Sequence, residues 1–443
     1  MQKKIFIKTF GCQMNEYDSD RIIDLIKING YEKTLHSDQA DCYIINTCHI
    51  REKATEKVFH DIGRVKKKFR NRKKPILIIS GCVAQAEGDI LIQKEKYIDA
   101  VIGPQSYQNI NEIIKNIENR NIRTESTEFD VVQKFDSLNK IKKLSNKISS
   151  YLTIQEGCDK FCKFCVVPYT RGPEYSRGFE EIINEAEVLV SKGAKEIVLL
   201  GQNVNAYSNN KKKLSDIIYK LDEIKNLKRI RFTTSHPIDM TDDLIEAFKY
   251  SSKLMPFLHL PVQSGSSKIL KLMNRKHTVN YYYDIINKLK KANPSMKFSS
   301  DFIIGYPGET KEDFNETIRL MSKIKFINTY SFIFSPRPGT PASKLKSVDK
   351  NQALIRLQEF QKLSEKIKYN YKNELLGKTV RVLVENRLKN QNKYFGKDEF
   401  SNSVIIESTR DLTGLEIDIK VSKINTNTLF GKYDKKKDEY EAA

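Results

Sequence analysis

The sequence predicts an α/β protein in three parts: an N-terminal doubly wound parallel sheet, a central partial (β/α)6 barrel, and a small all-β module at the C-terminus. Three observations carry that reading. Strand-like and helix-like segments alternate over residues 1–118, the alternation resumes as six β/α units over 150–375, and after that short strands follow one another without helices.

In the first part KIFIKTF from Lys4, CYIINT from Cys42, PILIIS from Pro75 and DAVIG from Asp99 read as strands, and Asp18 to Ile28 carries apolar residues at helical spacing. Residues 119–149 are polar and charged with no clear period, and they read as a linker. Six strands are expected next: YLTIQE from Tyr151, EIVLLG from Glu196, RIRFTT from Arg229, PFLHLPV from Pro256, KFSSDFIIG from Lys297 and NTYSFIFS from Asn328. Helical segments separate most of them, as in a smaller relative of the eight-unit barrel. A helical stretch from about Asp349 to Leu375 leads into TVRVLVE, SVIIES, LEIDIKVSKI and TLFGKY, the strands of a barrel-like module over 376–440.

Lys and Arg exceed Asp and Glu by 21 in a chain of 443 residues. Such a surplus favours a polyanionic partner, nucleic acid first, because phosphate contacts release counterions. A genome biased toward Lys, Asn and Ile is the competing explanation. The apolar stretch near the start is short and broken by Lys8, and no segment approaches the roughly 20 apolar residues that cross a bilayer. A cytosolic location without membrane contact is therefore expected. In that reducing compartment the seven cysteines are candidates for metal ligation or redox chemistry and not for disulfides.

Cys158, Cys162 and Cys165 form a C-x3-C-x2-C loop directly after the strand YLTIQE. Three close thiolates can hold three irons of a [4Fe–4S] cluster and leave the fourth without a protein ligand. An open iron can chelate S-adenosylmethionine (SAM), and an electron from the cluster then cleaves its carbon–sulfur bond, chemistry that belongs to the cofactor. Zinc is the alternative, but a structural zinc site has four ligands, and no fourth Cys or His lies in this loop. Phe161 and Phe164 stand between the ligands, where they either shield a cluster or simply pack.

Cys12, Cys48 and Cys82 are scattered in sequence, yet each follows an expected strand by one to three residues, at intervals of about one β/α unit. In a parallel sheet the carboxyl ends of the strands share one edge, so the three thiols can converge there. Unconnected structural thiols are the alternative. Cys42 lies within a strand and reads as core. Gly11 and Gly81 precede two of the three cysteines, consistent with tight turns.

The stretches TFGCQMNEYDSD, NTCHIREKATEKV, SGCVAQAEGD, EGCDKFCKFCVVPYTRGPEYSR, LLGQNVNAY, LHLPVQSGS, DFIIGYPGET and FSPRPGTPA together resemble the methylthiotransferase branch of the radical SAM superfamily, and within it the MiaB-type tRNA enzymes. The resemblance covers essentially the whole chain and implies a three-cysteine N-terminal domain, a radical SAM barrel and a C-terminal TRAM RNA-binding module. It implies two [4Fe–4S] clusters: one on Cys158, Cys162 and Cys165 that cleaves SAM, and an auxiliary one on Cys12, Cys48 and Cys82 whose exposed iron carries the sulfur to be inserted. The implied substrate is N6-isopentenyladenosine beside the tRNA anticodon, methylthiolated at C2. One SAM gives the methyl group and another the radical that removes the C2 hydrogen. A flavodoxin- or ferredoxin-type electron donor, sulfur-supply proteins and a monomeric enzyme go with that picture. RimO-type relatives act on a ribosomal protein and a third branch on threonylcarbamoyl-adenosine, but GCQMNEYDSD and NTCHIREKATEKV look like neither. His49 stands where the family more often has a small residue; it reads as a hydrogen-bonded loop histidine, with a place beside the auxiliary cluster as the alternative.

Gln202 and Asn203 end the second barrel strand, Gln263 and Ser264 the fourth, and Asp301 lies in the fifth. Polar side chains there face the expected active-site rim as candidate SAM contacts, or else stabilise turns. Arg337, between Pro336 and Pro338 after the sixth strand, is a candidate contact to phosphate or base. The terminal module offers Lys378, Arg381, Arg387, Lys389, Lys393 and Lys397, with Tyr394 and Phe395 alongside as stacking surfaces for unpaired bases. A solvated charged face is the alternative for any one of them. The tail KYDKKKDEYEAA is expected to be flexible.

Overall fold

The computed structural model describes residues 2–48, 54–120, 122–139, 147–389 and 391–433. His49 and the tail beyond 433 lie outside the described residues. The N-terminal sheet has β1 (Lys3–Thr9), β2 (Tyr31–Lys33), β3 (Cys42–Thr47), β4 (Ile76–Gly81), β5 (Ala100–Ile102) and β6 (Thr124–Ser126), in the order β2-β1-β3-β4-β5-β6. All neighbours are parallel. Every residue of β3 is buried, as a central strand covered on both faces requires. The helices α1 (Gln13–Lys27), α2 (Ala54–Lys68), α3 (Cys82–Lys94), α4 (Ile110–Arg120) and α5 (Val131–Asn139) divide between those faces. Ile5, Ile44, Ile78 and Ile102 pack with α1, α4 and α5, whereas Ile45, Leu77, Ile79 and Val101 pack with α2 and α3.

The stretch 119–149 departs from the linker reading. It supplies β6 and α5, and α5 buries Phe135, Leu138 and Lys134. Thr124–Ser126 is polar, so no apolar alternation marks it; what makes it a strand is its pairing with β5. Cys42, fully buried, belongs to the core.

The barrel strands are β7 (Ser149–Thr153), β8 (Glu196–Leu200), β9 (Arg229–Phe232), β10 (Phe257–His259), β11 (Lys297–Ile304) and β12 (Asn328–Ile333). They form two parallel sets of three, joined through a bridge between Ile230 and Leu254. All six expected strands are present. Ile197, Leu199, Phe302 and Ile304 point toward the surrounding helices. Val198 and Leu200, on the opposite face of β8, instead meet Met14 and Tyr17 of α1. The first helix of the N-terminal unit thus lies across the inner face of the barrel.

The C-terminal module closes into a five-stranded barrel of β13 (Thr379–Arg387), β14 (Lys393–Asp398), β15 (Ser403–Glu407), β16 (Glu416–Ile424) and β17 (Thr428–Lys432), ordered β13-β14-β15-β17-β16. The strand β14 is an addition to the expectation: its buried positions are Tyr394, Gly396 and Asp398, which show no apolar alternation. Tyr394 is 1% exposed within this core, so its inward position rules it out as a stacking surface for bases. Two buried arginines of β9 dock the module. Arg229 pairs with Glu416 at 2.6 Å and donates to the carbonyls of Lys397 and Arg381, and Arg231 pairs with Glu196 at 2.6 Å and donates to those of Asp398 and Glu399. Among the described residues no helix is long and apolar enough to cross a membrane.

Candidate active site

The sheet register brings the scattered cysteines together. Thr9 lies opposite Asn46, and Asn46 opposite Ser80, so Cys12, Cys48 and Cys82 follow two or three residues beyond a single rung. Strand order reverses between β1 and β3, the switch point outside which open α/β sheets bind their ligands. Gly11 (φ +115) and Gly81 (φ +90) make the turns, and a Cβ at Gly11 would run into Cβ of Cys48, at Gly81 into the carbonyl of Thr47. Cys12 precedes α1 and Cys82 opens α3. Both thiols therefore sit at the positive ends of helix dipoles, which favour a thiolate. The hydrogen bond with Cys48 draws Cys12 down to about 6 against the upward push of burial. Burial raises Cys82, with Arg171 pulling the other way.

The second trio occupies the loop after β7. Gln202 Oε1 accepts from the backbone N–H of Gly157 at 2.7 Å, Cys158 N–H donates to the Gly172 carbonyl, and Cys165 N–H to that of Cys162. Arg275, 5% exposed, points Nη1 at Cys162 Sγ from 3.6 Å and donates through Nη2 to the Pro261 carbonyl. Burial pushes Cys158 up to about 11 and Cys165 up to about 12, and a bound cation favours the thiolates. Phe164 packs beside Tyr306 and Phe334, whereas Phe161 is exposed with φ +47.

The two trios share one mouth. Thr233, just beyond β9, donates to Gln13 Oε1 beside Cys12 at 3.3 Å, and Thr153 reaches the sulfur of Met14 at 3.6 Å. Helix α3, which begins with Cys82, touches α6 (Val167–Thr170), which follows Cys165. Directly after α6, Arg171 crosses into the N-terminal unit: its Nη2 donates to Asp18 at 2.9 Å and Asn15 at 3.1 Å. Lys134 completes the contact, buried between Glu156 and Asp18.

The donor sets fit an iron–sulfur cluster with an open iron: three thiols at each site, each beside a buried arginine able to offset thiolate charge. A structural zinc site asks for four ligands, whereas each of these sets offers three cysteines.

Comparison with known proteins agrees with this division. Residues 4–103 match the Uncharacterized protein family UPF0004, 152–321 the Radical SAM superfamily and 374–433 the TRAM domain. The chain is 58% identical to the tRNA-2-methylthio-N(6)-dimethylallyladenosine synthase of Pelagibacter ubique over 98% of both chains. It is 48% identical to the enzyme of that name from Rickettsia canadensis, over 97% of this chain and 99% of that one. The chain belongs to the radical SAM tRNA methylthiotransferase family. Its fold is also that of the radical SAM methyltransferase TsrM from Kitasatospora setae, with a TM-score of 0.57 at 11% identity over 77% of each chain.

The candidate SAM contacts of this methylthiotransferase divide into separate groups. Gln202 holds the cysteine loop. Asn203 donates to Asp239 at 2.9 Å and leaves its buried Oδ1 without a hydrogen bond. Beside them a cleft of about 300 Å³ is lined by Lys160, Glu174, Asn205 and Asp239, and burial pushes Glu174 up to about 7. Across the barrel, Asp301 faces His259 at 3.4 Å. Gln263 adopts φ +76, and its backbone bonds Asp301 and Ile303. The Ser264 hydroxyl is engaged by Thr317 and the amide of Ser266.

In the methylthiotransferase's TRAM module, Arg381 pairs with Asp418 at 3.3 Å, Lys397 with Glu385 at 3.2 Å and Lys393 with Glu407 at 3.9 Å; Lys378 is exposed. The Arg337 carbonyl accepts from Thr340 in the loop after β12. Sequence reasoning missed Arg171 and Arg275 as members of the site. The first lies in VVPYTRGPE, a stretch that marks the family without revealing that its guanidinium reaches another domain; no pattern singles out the second.

Proposed function

We infer that the chain converts N6-isopentenyladenosine beside the tRNA anticodon to its 2-methylthio derivative, using SAM and two [4Fe–4S] clusters. The observation that carries this reading is the meeting of two thiol trios, held by different domains, at one barrel mouth. Cys158, Cys162 and Cys165 are the ligands of the cluster that works on SAM, and Cys12, Cys48 and Cys82 those of the auxiliary cluster. When bound, the first supplies the electron that cleaves SAM and the second the sulfur for transfer. The chain's own groups do the rest. Gln202 fixes the start of the cysteine loop, Arg275 donates toward Cys162 Sγ, and α1 seats the auxiliary trio over the barrel. Asn203 and Asp301, on opposite sides of that mouth, are the groups we assign to SAM, with Gln263 beside Asp301.

The net charge of +21 and a closed all-β module with exposed Lys378 and Arg381 favour tRNA over a protein substrate. Arg337, Lys393 and Lys397 are further phosphate contacts in this reading; the last two exchange a carboxylate partner for phosphate. A flavodoxin- or ferredoxin-type donor reduces the clusters, and sulfur-supply proteins reload the auxiliary one. Nucleoside mass spectrometry of tRNA from a deletion strain tests the reading. Loss of 2-methylthio-N6-isopentenyladenosine, restored by the wild-type gene, is the expected result; unchanged tRNA together with an unmodified ribosomal protein would move the activity to that protein.

A further inference from the structure

Residues Cys158 to Arg171 form one short segment that serves two sites. It begins with the three thiols of the barrel loop, turns through α6, and ends with a guanidinium inserted into the other domain. Arg171 is 2% exposed. Its Nη2 is fixed by Asp18 at 2.9 Å and Asn15 at 3.1 Å, and its carbonyl accepts from Gln105 Nε2 at 2.5 Å. Asn15 in turn lies within 3.9 Å of Cys12 Sγ. Nη1 has no hydrogen-bond partner and is 3.8 Å from Glu156, while the guanidinium stands against Cys82. A buried N–H left unpaired costs about 1–3 kcal/mol unless something accepts from it. The nearest carboxylate oxygen, Glu156 Oε2, has no hydrogen bond either, since Lys134 engages Oε1, and the Cys82 side chain is the other group the guanidinium meets.

We propose that Arg171 is a positioning residue of the auxiliary site, its fixed guanidinium donating to sulfur at the Cys12–Cys48–Cys82 trio and offsetting the negative charge gathered there. The proposal rests on the two-cluster reading above. It also gives the barrel loop a second task, since the chain that carries the SAM-site thiols carries the cation of the sulfur site. One feature distinguishes this arginine from a merely structural one: besides pairing with Asp18, its guanidinium also reaches the Cys82 side chain and acts on Cys12. Arg177 is the contrasting case: equally buried, it pairs with Glu185 at 2.9 Å and donates to the Thr153 carbonyl, with no cysteine acting on it.

The test uses the full-length chain, reconstituted anaerobically, with Cys158, Cys162 and Cys165 replaced by Ala so that only the auxiliary cluster titrates. Redox titration followed by electron paramagnetic resonance compares this background with added R171Q, R171K and R177Q. Removing the charge should stabilise the oxidised cluster at least tenfold, a midpoint lower by about 59 mV or more for one electron. R171K, which keeps the charge and loses the fork, should fall between, and R177Q should leave the midpoint in place. An unmoved midpoint in R171Q and R171K with iron content retained, or an equal shift in R177Q, would overturn the proposal. If R171Q fails to assemble iron, R171K decides alone. The wild-type chain serves as the separate check on the underlying reading: about four irons per chain in place of about eight would sink the two-cluster assignment and this role together, whereas eight irons with an unmoved midpoint would remove only Arg171.

Discussion

The two thiol trios solve one problem in opposite ways. Cys158, Cys162 and Cys165 sit within one loop, and local backbone bonds such as Cys165 N–H to the Cys162 carbonyl shape it. Cys12, Cys48 and Cys82 come from three β/α units and meet only because β1, β3 and β4 pair in one register. A loop can hold a site almost by itself. The sheet-edge site inherits the stability of a whole domain and fails when that domain shifts. The difference teaches that the first should break by losing a ligand and the second also by losing a neighbour.

The largest effect expected is the split between ligand substitutions. Cys158→Ala should abolish formation of 5′-deoxyadenosine, while Cys12→Ala should spare it and abolish methylthiolation of tRNA, both read by chromatography and nucleoside mass spectrometry. Undiminished methylthio product from Cys12→Ala would erase the distinction between the sites.

Next comes the contact that seats one domain on the other. Lys134, wholly buried against Glu156 and Asp18, is expected to cost about 3–5 kcal/mol when replaced by Met, because the Glu156 carboxylate is left buried without its directly bonded cation. Urea denaturation measures it, and a loss under 1 kcal/mol would show the domains to be independent of this group.

A smaller effect is expected at the sheet edge. Gly81→Ala puts a non-glycine residue at φ +90 with its Cβ against the Thr47 carbonyl, a strain of about 1–3 kcal/mol. It should lower iron at the auxiliary site while leaving 5′-deoxyadenosine formation intact. Equal loss of both activities would make the two sites one cooperative unit.

The smallest concerns a purely local device. Asp313 is the N3 residue of a capping box with Thr310 at the helix Lys311–Ile324. Burial pushes its carboxyl upward, but Lys268, the Thr310 amide and Ser266 outweigh it and hold the group down to about 2. A carboxyl depressed in the folded state stabilises above its unfolded value, near 4, and that contribution is lost as pH falls through about 2. Asp313→Asn should therefore cost about 1 kcal/mol at pH 7, with the gap from wild type closing between pH 4 and pH 2. A gap that stayed constant over that range would assign the loss to shape and not to charge.

Legibility followed the same divide. The barrel loop was readable from spacing, and all six barrel strands from apolar runs. β6 and β14 were not, since Thr124–Ser126 is polar and β14 buries a glycine and an aspartate; both are strands because a neighbour pairs with them. Helix α5 reads as linker in the sequence because Lys134, at its buried centre, looks like a solvent-facing residue without Glu156 and Asp18 around it. Strand position alone marks the candidate SAM contacts in the sequence; it does not reveal that Gln202 also holds the backbone of Gly157 or that Ser264 meets Thr317 of a neighbouring helix.

What the sequence determined by itself was the identity of the chemistry: which cysteines stand after strands, how many form each set, and that the alternation of strands and helices delivers them to one sheet edge and one barrel end. Only the tertiary structure decided which charges stand beside them. Arg171 and Arg275 meet cysteines 89 and 113 residues away, and no local pattern encodes such a pairing. A buried guanidinium is placed by its partners in space, because in a low-dielectric interior it persists only where acceptors from several segments converge on it.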